Sequence, residues 1–140
     1  MTLILLAAAL ITGLSSDTLV NTDSKPVQCD IQVIHATKGD KHIDPLLRPI
    51  ERYLNRSFGN RFQSFKLLDS SRLVLNKSQQ GQRSLPNNTT LSLTYLGIEQ
   101  SLLRLEMAVG GLKTTVKVHD GGLFFQAGRS YKNGMLIVAI

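Results

Sequence analysis

Apolar and polar residues alternate through most of the chain, and that alternation predicts a β-rich fold. Residues 27–36 place Val27, Cys29, Ile31 and Val33 on one face of a half-buried strand. The period changes at Asp44 and Pro45. An Asp carboxylate can accept the first free N–H groups of a helix, and Pro fits its first position. Leu47, Ile50, Leu54 and Phe58 then recur at helical spacing, with Gly59 as a stop. Pro49 lacks the N–H that a formed first turn would need, so the regular helix is expected to begin after it.

Beyond the helix a period of two returns. Phe65 and Leu67 alternate within 63–68, and Leu73 and Leu75 within 72–76. Residues 79–82 are polar and contain Gly81, which reads as a loop or bulge. Leu85, Pro86, Asn87 and Asn88 form a turn signal. Leu91, Leu93 and Tyr95 alternate next, with Gly97 expected to end the run. Leu103, Leu105, Met107 and Val109 are followed by a Gly110-Gly111 reversal, and Leu112, Thr114, Val116 and Val118 by an Asp120-Gly121 reversal. Leu123, Phe125 and Ala127 make a further strand. Asn133-Gly134 is the strongest hairpin signal, and the unbroken apolar run 135–140 fits a central strand covered on both faces. The expected fold is mainly β: an antiparallel β-sandwich or open barrel of about eight strands, with one α-helix near the N-terminus covering a face or an open end.

Composition narrows the setting. A chain of 140 residues, 42% hydrophobic and 19% charged, suffices for one ordinary domain, expected over 27–140. Residues 1–14 contain no Asp, Glu, Lys or Arg; the apolar run is too short to span a bilayer as a helix, and small residues Gly13, Ser15 and Ser16 follow it. This predicts a signal peptide over 1–16 and a flexible leader over 17–26, hence export to the periplasm or beyond, with no transmembrane span in the mature chain. The run lacks a preceding Lys or Arg, and the other reading of it is an N-terminal strand or buried helix. One cysteine excludes an intramolecular disulfide framework, and Cys29, on the strand face of Val27 and Ile31, reads as a small buried hydrophobe.

No convergent catalytic set is visible. His35, His42 and His119 match no ligand spacing, so no metal and no cofactor are expected. A Gly-x-Ser-x-Gly elbow is missing, the acidic residues are dispersed, and the glycine pairs lie between strands rather than in a phosphate-cradling loop. His119 and Asp120, adjacent in the chain, are the one pair on which a hydrolase could be argued. Charge is more informative. The net charge is +6, and residues 38–83 alone carry ten basic against four acidic side chains. Arg48, Arg52 and Arg56 are spaced by four along the helix, and Lys38 and Lys41 lie in the loop before it. These five residues are the candidate anion-binding set, for an acidic polysaccharide or lipid headgroups; the alternative is an ordinary solvated helix face. Without interleaved stacking aromatics, nucleic acid is not an expected partner.

A resemblance bears on the setting. His35 and Ala36 after the first strand, Asp44 and Pro45 opening the helix, and the run Phe65, Lys66, Leu67, Leu68 come in that order. Leu85, Pro86 and Asn87 follow, then Thr114, Thr115 and Val116, then Gly122, Leu123, Phe124 and Phe125 with Gly128, and Gly134, Met135, Leu136 and Ile137. From about residue 31 onward this order resembles a group of small exported bacterial β-rich proteins of unassigned function. Residues 114–128 are also similar to a hairpin near the membrane-barrel region of outer-membrane secretins. The first resemblance implies a bacterial envelope setting and brings no activity with it; the second implies an accessory of a secretion or pilus machine. Together these readings give a non-enzymatic binding or structural module of the cell envelope, with another envelope protein as partner, or an anionic polymer bound through the basic helix face.

Overall fold

The computed structural model describes residues 25–140; the expected signal peptide and most of the leader lie outside the described residues. The chain runs β1 (Val27–Thr37), β2 (His42–Ile43), a 3-10 turn (Pro45–Ile50), α1 (Glu51–Phe58), β3 (Ser64–Leu75), β4 (Gln80–Ser84), β5 (Thr90–Glu99), β6 (Leu102–Val109), β7 (Leu112–Val118), β8 (Phe125–Tyr131) and β9 (Gly134–Ala139). Two sheets form a sandwich and not a closed barrel. One has the order β2-β3-β1-β9-β8 and the other β4-β5-β6-β7. All pairings are antiparallel except the two-residue β2, which lies parallel to β3.

Two apolar cores result, one on each face of the five-stranded sheet. Cys29, Ile31, Val33, Leu73, Leu136 and Val138 meet Leu91, Leu93, Tyr95, Leu105 and Met107 between the sheets. On the opposite face Ile34, Ala36, Phe65, Met135 and Ile137 meet Leu47 and Leu54 from the helical layer. The run Met135 to Ala139 is buried throughout because β9 supplies side chains to both cores in turn, as its unbroken apolar sequence predicts. β1 divides the same work along its length, giving Cys29, Ile31 and Val33 to the first core and then Ile34 and Ala36 to the second.

Local rules explain the helical layer. The Asp44 carboxylate accepts from the Leu46 N–H (3.0 Å) and also from the Leu67 N–H (3.3 Å), tying the helix start to β3. With Pro45 and Pro49 both present, the first turns take the 3-10 form, and regular α-helix starts at Glu51.

Three expectations change. Residues 79–82 are largely strand rather than loop: β4 pairs with β5, and Gly81 lies so close over Leu73 and Leu75 that a Cβ there would sit 2.9 Å from a Leu73 methyl. Gly97 does not end its strand. At φ +102° it follows the unpaired Leu96 in a bulge, and β5 continues to Glu99, turning at Gln100 and Ser101. Asp120-Gly121 does not close a hairpin. The segment after β7 crosses to the other sheet, where β8 pairs with β9 through the Lys132-Asn133 turn. Only β4 to β7 therefore form a meander.

Candidate functional site

The amphipathic helix fixes where the basic residues go. Leu47 and Leu54 are fully buried, with Ile50 and Phe58 half-buried beside them, which turns Arg48, Arg52 and Arg56 toward solvent. The structure brings Arg52 and Arg56 together around Tyr53: their guanidinium carbons lie 5.2 and 5.9 Å from its ring centroid. Arg52 also donates to the Tyr53 hydroxyl at 3.4 Å. That bond, followed by the charges of Arg52 and Arg56, holds the phenol below its ordinary pKa. Arg48 stands one turn earlier, on the 3-10 segment, and takes no part in this cluster.

Lys38 and Lys41 lie in the exposed β1–β2 loop and take no part in the Tyr53 cluster. Backbone bonds from Gln63 N–H to Thr37 carbonyl (2.9 Å) and from His42 N–H to Gln63 carbonyl (3.1 Å) pin that loop against the segment leaving α1. Between them is an open cleft of about 370 Å³, lined by Lys38, Gly59, Asn60, Arg61, Phe62 and Gln63. The Arg61 guanidinium lies 5.2 Å from the centroid of the buried Phe62 ring, so its plane is supported from below. Two cations and two amide side chains line this cleft, and no carboxylate does. The predicted five residues thus divide into an arginine–tyrosine face and a lysine loop. The sequence signal for the second part of the site is weaker: Arg61 is one of the ten basic residues of 38–83, outside the helical spacing, and nothing in the periodicity ties Asn60 and Gln63 to Lys38.

The ion pairs among the described residues lie outside this surface. Among the described residues, Arg72 pairs with Asp30 at 2.7 Å, Arg104 and Lys117 share Glu99, and Lys113 reaches Glu106. None of Lys38, Lys41, Arg48, Arg52, Arg56 and Arg61 lies within 4.0 Å of a described carboxylate. Arg83, another cation of the basic segment, is structural: it donates to the Ser71 hydroxyl (3.1 Å) and the Arg72 carbonyl (2.8 Å), stapling β4 to β3.

His119 and Asp120 sit exposed in the turn after β7, and neither lines the cleft described above. Among the described residues no three His, Cys, Asp or Glu side chains group as metal ligands. No described helix is long and apolar enough to cross a membrane. Comparison with protein-family models, with curated proteins and with solved structures found no match.

Proposed function

We propose that this domain is a non-enzymatic binding module of the bacterial cell envelope that attaches to an acidic polysaccharide through its helical layer. The observation that carries the reading is a set of six exposed cations on the helical layer and its neighbouring loop with no carboxylate partner among the described residues, whereas Arg72, Arg104, Lys113 and Lys117 elsewhere in the domain are paired. Such a surface attracts polyanions by many weak, screened contacts rather than by one buried ion pair. The Arg61 and Lys38 cleft suits a sugar unit bearing a carboxylate or sulfate, because the Asn60 and Gln63 amides can exchange hydrogen bonds with neighbouring hydroxyls. The envelope setting rests on the apolar leader and on the order of motifs from residue 31 onward.

Retention on immobilised heparin across a sodium chloride gradient tests the reading. The native protein should elute late and in a salt-dependent manner, and Arg48→Glu with Arg52→Glu and Arg56→Glu should elute near the void. Equal retention of the two proteins would refute the assignment. Binding to anionic vesicles without binding to heparin would move it from a glycan to lipid headgroups.

A further inference from the structure

The helical turns do not stop where α1 ends. The Gly59 N–H donates to the Asn55 carbonyl (2.8 Å) and the Phe62 N–H to the Phe58 carbonyl (2.9 Å), so the backbone winds on for one more turn. Gly59 permits this tight closure, since a Cβ there would run into the Asn55 carbonyl. Arg52, Arg56 and Asn60 therefore stand at every fourth position on successive turns of one exposed face. Helical rise separates the first from the last by about 12 Å along the axis. Asn60 is also a wall of the cleft lined by Lys38, Arg61 and Gln63. The arginine–tyrosine face and the cleft meet at Asn60.

Each end of this row offers two cations. Arg52 and Arg56 flank Tyr53 at one end, and Lys38 and Arg61 line the cleft at the other. None of the four lies within 4.0 Å of a described carboxylate. At a spacing of four, Arg52 and Arg56 repel each other, and an anion held between them removes that cost. Asn60 carries no charge, and its amide both donates and accepts. The order along the surface is cationic pair, neutral amide, cationic pair. It matches a polymer whose anionic groups recur along an extended chain with hydroxyls between them, and has no counterpart in a ligand with one charged end.

We infer that the helix face and the cleft form one track for an internal stretch of an extended acidic glycan. Arg52 and Arg56 hold the anionic group of one repeat, Lys38 and Arg61 hold that of the next, and Asn60 contacts the sugar between them. The inference rests on the polyanion reading above and adds to it the number of repeats engaged at once. When one ligand joins two weak subsites, its second contact becomes intramolecular. Affinity then rises steeply at the chain length that first reaches both.

Equilibrium dialysis of the full chain against sulfated heparin disaccharide and tetrasaccharide at low salt tests this. The native protein should take up two disaccharides but one tetrasaccharide, and should bind the tetrasaccharide at least about tenfold more tightly. Arg52→Gln with Arg56→Gln should leave one disaccharide site of unchanged affinity and bring tetrasaccharide affinity down to that of the disaccharide. Lys38→Gln with Arg61→Gln should do the same from the other end. If either variant does not fold, the native stoichiometries still decide. Two tetrasaccharides per chain, equal affinity for the two lengths, or loss of all disaccharide binding in one variant alone would each overturn the track and leave the polyanion reading standing. Failure of the native protein to bind either oligosaccharide would overturn that reading, and the track with it.

Discussion

Phe65 and Leu73 stand an even number of positions apart on β3, yet they enter opposite cores. Phe65 pairs with Ala36 and packs under the helix, while Leu73 pairs with Cys29 and packs between the sheets. The switch is made at Leu68, which has no partner: Val33 pairs with Asp69 and Ile34 with Leu67. One extra residue inverts the inside–outside phase of everything beyond it. Leu68 itself is 42% exposed, so its role is its place in the backbone. Deleting Leu68 should cost more than about 3 kcal/mol, because either half of β3 must then turn its apolar face outward. Leu68→Ala should cost less than about 1 kcal/mol. Urea unfolding of both variants checks the contrast; equal costs would contradict it.

Gly81 should tolerate no larger side chain. Gly81→Val places new carbons against the Leu73 and Leu75 methyl groups and is expected to destabilise by about 1–3 kcal/mol, read as a lowered urea midpoint.

Cys29 should behave as a neutral, inaccessible thiol. Burial, and then the adjacent Asp30 charge, raise its pKa above the ordinary thiol value. A folded pKa above the unfolded one favours the folded state fully below the ordinary thiol range and less as pH rises through the folded value. Stability should therefore fall with pH above that range, and Cys29→Ala should remove this part of the slope. Thiol alkylation at neutral pH should be far slower in the folded protein than in urea.

Tyr53 reports directly on the arginine cluster. Ultraviolet titration should find one phenol ionising below the usual range, an assignment that Tyr53→Phe removes. Arg52→Gln should raise that pKa, since its hydrogen bond and charge are the leading causes of the shift. A bound polyanion should raise it too, by offsetting the charge of Arg52 and Arg56. An unchanged titration with saturating polyanion would place the binding elsewhere.

Much of this architecture was legible before any coordinates. Strand alternation, the Asp44 start, the late α-helix after Pro49 and the doubly covered β9 all follow from local patterns that packing reinforces. The bulges at Leu68 and Leu96 were hidden, because a skipped position leaves the apolar spacing looking like two separate strands or an early stop. β4 was hidden for another reason: its inward position is a glycine whose apolar neighbours belong to β3. Asp120-Gly121 misled because the same turn chemistry serves a hairpin and a crossing between sheets. The arginine face followed from helical spacing, whereas the Lys38 and Arg61 cleft depends on a loop pinned by Gln63, which no periodicity records.

The central claim is that position, and not net charge, makes the helical layer a polyanion surface. Two variants separate these causes, each removing three of the six net positive charges. One carries Arg48→Gln, Arg52→Gln and Arg56→Gln; the other carries Lys113→Gln, Lys117→Gln and Lys132→Gln. Their affinities for a heparin oligosaccharide at physiological salt should differ at least tenfold, with the arginine variant the weaker and the lysine variant close to native. Equal losses in both would show that the protein binds polyanions by total charge alone and would contradict the account.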